Sequence, residues 1–251
     1  MSTQNWQEIW NRRAYDLGST LDLGALIKLD GFDVGAGRIE VSDWQAYVGI
    51  ISNKLGISDG ATVYEIGCGA GAFLYALCQR HNLTVGGLDY SKALISAATR
   101  ALPDGEFNIA AAKSVGTSTT YDFVMSNGVF HYFSQEYAAE VLARMIKKAR
   151  IAVAVLEVPD LETKQESEAF RRDKLTQEEY EKKYAGLEHT YYERDWFKTQ
   201  AIENGCDYEI FDGCVPNYAQ NPYRFGVILK KSHSAKCTKS SLLKAAKGSD
   251  E

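Results

Sequence analysis

Residues 62–74, reading Thr-Val-Tyr-Glu-Ile-Gly-Cys-Gly-Ala-Gly-Ala-Phe-Leu, constrain the fold of this chain more than any other stretch. A strand-like apolar run breaks at closely spaced glycines and resumes with a helical pattern, which predicts a strand, a tight turn and a helix in succession. Glycine at such a turn lets the backbone bend sharply and approach a ligand, and the helix N-terminus offers unpaired N–H donors; a nucleotide-like cofactor would sit there. The glycines alone have two readings. Gly67-x-Gly69-x-x-Ala72 satisfies the permissive form of the dinucleotide fingerprint, in which the backbone cradles a pyrophosphate. Glu65, two residues before the first glycine, would sit poorly beside a pyrophosphate but would attract an ammonium or a sulfonium, directly or through water.

Beyond this turn, strand-like and helix-like patterns alternate. Strands are expected near 62–66, 84–88, 106–110, 121–126 and 150–157, with helices near 71–80, 91–101 and 134–148. Alternation of this kind predicts an α/β fold built on a doubly wound parallel sheet with helices on both faces. Upstream, 6–15 has the spacing of a short amphipathic helix, the Gly- and Asp-rich stretch containing Asp30 to Gly37 is expected to be a loop, and 42–55 resumes helical spacing. Pro159 ends the fifth strand. The charged stretch 160–185 then reads as an inserted, solvent-facing helical segment, followed by a helix at 195–204 that Gly205 terminates and by closing strands at 207–211 and 223–230.

The sequence resembles class I S-adenosylmethionine-dependent methyltransferases. Their first motif, an acidic residue followed by x-Gly-x-Gly-x-Gly, is matched by Glu65-Ile66-Gly67-Cys68-Gly69-Ala70-Gly71 at every fixed position. A second strand ends in Asp89, at the position the family uses to accept hydrogen bonds from both ribose hydroxyls; a helix N-cap is the plainer role for the same carboxylate. The run from Tyr121 to Phe133 resembles the family's fourth strand and the loop after it. The resemblance covers roughly residues 60–160 and extends weakly to the last strands. It implies a seven-stranded, mostly parallel Rossmann-like sheet with an antiparallel last strand and helical lid insertions. It also implies S-adenosylmethionine as cofactor, contacted by Glu65, Gly67, Cys68, Gly69, Gly71, Asp89, Tyr90, Ala111, Ala112 and Asn127. One departure stands out: the acid that often binds the adenine amino group after the third strand is absent from Ala110-Ala111-Ala112.

On this reading, residues 1–56 cover the site, 57–231 form the core with a lid insertion at about 160–190, and 232–251 form a flexible tail. The insertion, the loop around Phe32 and the loop from Cys214 to Pro222 leave from the sheet edge where ligands of open α/β sheets bind, so they are expected to shape an acceptor site. Acceptor contacts are expected from Phe32, Tyr132, His189, Tyr191, Tyr218 and Arg224. His131 is the candidate base, its alternative being a packing or backbone-bonded histidine. Tyr192 could orient an acceptor or simply pack. Arg224 could bind an acceptor carboxylate or phosphate through its planar fork, or form a surface ion pair. Trp6, Trp10 and Phe32 could cover the sulfonium with aromatic faces or simply attach the N-terminal segment. Cys68 reads as a small residue filling the turn.

Composition narrows the function. With 251 residues, 45% of them hydrophobic, the chain can bury one substantial core. Its 28 Lys plus Arg against 33 Asp plus Glu argue against a nucleic-acid surface. Cys68, Cys78, Cys206, Cys214 and Cys237 have neither zinc spacing nor the density of a disulfide scaffold, and no metal is expected. The first residues lack a signal-peptide pattern and no apolar run is long enough to span a membrane, so a cytoplasmic location is expected. The expected function is methyl transfer to O, N or C of a small metabolite. An NAD-dependent oxidoreductase and a non-catalytic S-adenosylmethionine-binding protein are the alternatives; the sequence leaves acceptor, acceptor atom and oligomeric state open.

Overall fold

The computed structural model describes residues 21–32, 37–173, 176, 178 and 189–232. Its centre is a seven-stranded sheet in the order β3-β2-β1-β4-β5-β7-β6. The strands are β1 (Thr62–Ile66), β2 (Thr84–Asp89), β3 (Glu106–Ile109), β4 (Tyr121–Asn127), β5 (Ala149–Pro159), β6 (Cys206–Asp212) and β7 (Arg224–Lys231). β1 pairs in parallel with β2 and with β4, and the parallel pairing continues to β3 on one side and β5 on the other. β7 runs antiparallel to both β5 and β6, as the resemblance implies.

The helices are α1 (Leu23–Leu29), α2 (Val41–Leu55), α3 (Ala72–Cys78), α4 (Lys92–Ala101), α5 (Gln135–Lys148), α6 (Lys164–Arg172) and α7 (Arg194–Glu203). Side chains alternate across each strand, so β1 divides its residues between two cores. Val63 joins a layer with Trp44, Tyr47 and Phe73 from α2 and α3. Tyr64 and Ile66 join the opposite layer with Val141, Leu142 and Met145 from α5 and Phe197 from α7. The near-continuous apolar reading of β4 and β5 follows, since both of their faces are covered.

Helix α1 lies outside the sequence-based expectation. Its seven residues are too few for a periodicity to show, and it forms because Asp22 caps it, accepting from the Ala25 N–H at 2.8 Å, while Leu23, Leu26 and Ile27 are buried. The insertion after β5 begins with α6, an exposed helix in which only Ser167 is buried. The expected helix at 6–15, with Trp6 and Trp10, and the expected tail beyond 232 lie outside the described residues.

A switch point falls between β1 and β4, where crossover helices leave to opposite faces. Ligands of open α/β sheets bind in the crevice this creates at the carboxyl ends of the strands. β5 is irregular at that same edge. Two residues, Leu156 and Glu157, face the single Gly226 of β7, and Glu157 adopts a left-handed φ of 55°. Bulges of this form usually place glycine in that conformation, so a glutamate there stores strain.

Candidate functional site

After Ile66 the backbone turns through Gly67, Gly69 and Gly71, all three with positive φ. The N–H groups of Gly67 and Cys68 both donate to the Leu88 carbonyl, tying the turn to β2. A Cβ at Gly67 would lie 2.5 Å from a methyl of Val129, and one at Gly69 would lie 2.1 Å from the Asp30 carboxylate. Both positions therefore need glycine for space as well as for conformation. Cys68 is buried, and desolvation together with nearby carboxylates pushes its thiol up, which leaves it unreactive.

Three carboxylates converge on this turn. Asp30, arriving at the end of α1, accepts from the Ala70 N–H at 2.6 Å and the Ala72 N–H at 3.1 Å, at the N-terminal end of α3. Asp89, at the end of β2, accepts from the Gly69 N–H at 3.2 Å and the Ser91 N–H at 2.8 Å. Glu65 is buried, and its Oε2 has no hydrogen-bond partner. Burial raises all three, Glu65 well above the usual carboxylate range and Asp30 to about 7, although backbone N–H donors oppose the shift at Asp30 and Asp89. Asp30 and Asp89 also repel charge on Glu65. A cation placed beside them would lower all three again. The plainer N-cap role for Asp89 falls to Ser91, whose hydroxyl accepts from Leu94 N–H. Backbone donors from Gly69, Ser91 and Tyr90 act on the Asp89 carboxylate, whose two oxygens together offer about four lone-pair sites.

Across the switch point the charge reverses. His131, in the short 3-10 turn Phe130–Tyr132 after β4, is buried and its Nδ1 has no partner. Its ring centroid lies 4.3 Å from that of His189 and 3.9 Å from that of Tyr132. Arg171, on α6, reaches His189 Nδ1 at 3.0 Å and donates to the Tyr191 hydroxyl. Arg224, at the start of β7, donates to the Glu157 carbonyl at 3.4 Å and to Gln220 Oε1 at 3.0 Å. It is buried, which overturns the surface ion pair considered from the sequence. Burial and the surrounding cations hold both imidazoles well below the ordinary histidine value. His131 is consequently neutral and a weak base. Burial lifts Glu157 to about 7, with Arg224 opposing the shift.

The other expected residues fall around these two groups. Asn127, at the end of β4, accepts from the Tyr47 hydroxyl at 2.9 Å, so α2 fixes it between them. Phe32 stacks on Trp44 at 4.9 Å and its ring tip lies 3.6 Å from the point a Cβ on Gly128 would occupy, closing over the β4 loop. Tyr90 feels both Asp89 and Tyr132. Tyr218 is buried among Glu157, Arg224 and Tyr132, which act on its hydroxyl. Ala112 begins a short 3-10 turn beyond β3, where Ala110 N–H donates to the Asp89 carbonyl; Ala111 is exposed beside it. Tyr192 is structural: its hydroxyl donates within the loop to the Phe130 and Phe133 carbonyls. Asp30 and Glu157 went unrecognised in the sequence, since Asp30 sits in an unpatterned loop and Glu157 reads as the end of a strand.

Comparison with known proteins agrees with this geometry. Residues 63–150 match the family described as methyltransferase domain. No curated protein matches the chain. Among solved structures it is similar to the magnesium protoporphyrin IX methyltransferase of Synechocystis with bound S-adenosylmethionine. The two share 16% identity over 91% of this chain and 96% of that one, with a TM-score of 0.58. It is similar also to a chain in a complex of the Haloferax volcanii Trm112 activator with a methyltransferase, at 14% identity over 89% and 98% and a TM-score of 0.64. A third likeness is to the plantazolicin methyltransferase BpumL in complex with S-adenosylhomocysteine, at 13% identity over 91% and 97% and a TM-score of 0.59. Residues 63–150 thus carry a methyltransferase domain, and the strand order and acidic glycine turn are those of the class I methyltransferase fold. The first of these similar structures holds S-adenosylmethionine.

The residues present fit that group. A glycine cradle that a Cβ would fill and a buried glutamate oxygen without a partner lie where a cationic ligand would enter. Among the described residues, no helix is long and apolar enough to cross a membrane and no cluster could hold a metal ion.

Proposed function

We propose that the protein transfers the methyl group of S-adenosylmethionine to a small metabolite seated between the β4, β5 and β7 strand ends. The observation that carries this reading is the charge pattern of the crevice: buried Glu65 and Asp89 with half-buried Asp30 at the glycine turn call for a cation, and a separate polar group lies across the switch point. Glu65 would face the ammonium of the cofactor, Asp89 the ribose hydroxyls, and the backbone near Ala111 and Ala112 the adenine. Gly67, Gly69 and Gly71, with Cys68 between them, would let the chain approach, and Asn127 and Tyr90 would flank the ligand.

The cofactor supplies an activated methyl on a sulfonium, so the protein needs chiefly to orient an acceptor in line and to exclude water. Phe32, Tyr132, Tyr191, Tyr218 and His189 would shape the acceptor pocket, with the segment from α1 to Phe32 and the insertion carrying α6 as its covers. His131 would act as a neutral hydrogen-bonding group on the acceptor, since taking up a proton among two guanidinium groups costs too much. Glu157 has the proton affinity a base needs near neutral pH. The likeness to methyltransferases of a porphyrin and of plantazolicin supports a small-molecule acceptor.

Calorimetric titration with S-adenosylmethionine, S-adenosylhomocysteine and NAD tests the reading. The first two should bind saturably. The pyrophosphate of NAD should be repelled by the acidic cluster. Binding of NAD alone would return the glycine turn to the dinucleotide reading. Cofactor binding without product from any acceptor in a broad metabolite screen would favour the non-catalytic alternative.

A further inference from the structure

We infer that the acceptor carries an anionic group, a carboxylate or a phosphate, held between Arg171 and Arg224 beside His131 and His189. The inference rests on the methyltransferase reading and names the substrate class of the same crevice. Arg224 and His131 are each 7% exposed, and each presents a buried nitrogen with no hydrogen-bond partner: Nε of Arg224 and Nδ1 of His131. Unsatisfied buried donors are costly, and a charged one more so. Arg224 spends its other nitrogens on a carbonyl and an amide, both neutral, and among the described residues it forms no ion pair.

Three separate elements meet at this place, two bringing a guanidinium charge and the third a neutral imidazole. Arg224 starts β7, Arg171 comes from α6, and His189 lies just before α7, with Phe170 stacked on Tyr223 at 5.6 Å to hold α6 against the β7 start. The depressed imidazoles report the same crowding of cations, with Arg224 and Arg171 both acting on each ring. Glu157 is the carboxyl acting on Arg224, and with a value of about 7 it is only partly ionised at neutral pH. An anion placed here would accept from Arg224 Nε and from His131 in its Nδ1–H tautomer, and would offset the Arg224 charge. Guanidinium suits either oxyanion, because its planar fork matches both. The crevice is thus acidic on the cofactor side and basic on the acceptor side, which orients a negatively charged acceptor with its anion away from the glycine turn.

The test is calorimetric titration of the protein, saturated with S-adenosylhomocysteine, with sodium benzoate, with benzamide and with inorganic phosphate. Saturable one-to-one binding of benzoate or of phosphate is expected, and whichever is tighter separates carboxylate from phosphate recognition. Benzamide, the neutral counterpart, should bind at least about tenfold more weakly than benzoate if a carboxylate is the group held. Arg171→Gln and Arg224→Gln should each weaken the bound anion by about tenfold or more while leaving S-adenosylhomocysteine affinity within about twofold. Arg171 is partly exposed, so its variant decides the matter should the buried Arg224→Gln fail to fold. The proposal is overturned if neither anion saturates, if benzamide binds as well as the tighter anion, or if Arg171→Gln keeps full anion affinity. Should S-adenosylhomocysteine not bind, the methyltransferase reading fails separately, and the same titrations without it still decide the anion site.

Discussion

At the scale of single residues, the site depends on groups placed where they cost stability. Glu157 holds a left-handed φ in a bulge, and burial disfavours its charge. Glu157→Gly should therefore raise unfolding stability by about 1 kcal/mol in chemical denaturation while lowering methyl-transfer activity. A destabilised variant would show that the glutamate's contacts outweigh its strain. Asp89 has the opposite character, since its oxygens already organise the turn through Gly69 and Ser91. Asp89→Ala should weaken S-adenosylhomocysteine binding by about tenfold or more, for loss of hydrogen bonds worth about 1.5–3 kcal/mol each; calorimetry showing unchanged affinity would remove the ribose role. Local pattern made Asp89 legible, since a carboxylate closing an apolar strand stands out. Asp30 and Glu157 carry no such local mark, and only the tertiary approach of α1 and the β5 bulge gives them a role.

At the scale of elements, the N-terminal segment is pinned to the glycine turn by one carboxylate. Asp30 links the end of α1 to the first N–H groups of α3. Unfolded, it ionises near 3.8; folded, at about 7. Between these values the folded state holds a proton that the unfolded state releases, so this group makes stability fall as pH rises across that window. Glu65, Asp89 and Glu157, also raised, add slopes of the same sign. Asp30→Asn should flatten the decline between pH 5 and about 7, read from urea denaturation at successive pH values. Cofactor affinity should run the other way, strengthening as pH rises through about 7, because ionised carboxylates attract the cationic ligand. A wild-type affinity independent of pH across that range would count against the acidic cluster as its seat. The strands and the α3, α4 and α5 helices were legible because their apolar periods are long and their ends carry glycine, proline or serine. Helix α1 was not, because seven residues make too short a period and tertiary burial holds them.

At the scale of the whole molecule, the two edges of the sheet do different work. The carboxyl edge carries the charged crevice, whereas the opposite edge is closed by buried Lys148. Its ammonium donates to the Gly116 and Thr119 carbonyls at 3.0 and 3.1 Å and lies over the rings of Tyr64 and Tyr121. Lys148→Met should lower stability by about 2–4 kcal/mol through lost charge-assisted bonds and cation–π contacts. It should leave S-adenosylhomocysteine affinity unchanged by calorimetry, and a parallel loss of affinity would contradict the separation of edges. The chain's order of apolar runs, glycines and strand-ending acids was enough to predict the strands, the helices between them and the glycine turn, because each depends on neighbours within about a dozen residues. Tertiary structure alone decided the rest. Asp30 joins Glu65 and Asp89 from thirty-five and fifty-nine residues away. His131, Arg171, His189 and Arg224 become one basic group only when β4, α6, the approach to α7 and β7 share an edge. Charge acts through space, and sequence spacing carries no record of which distant side chains a fold brings within reach of one another.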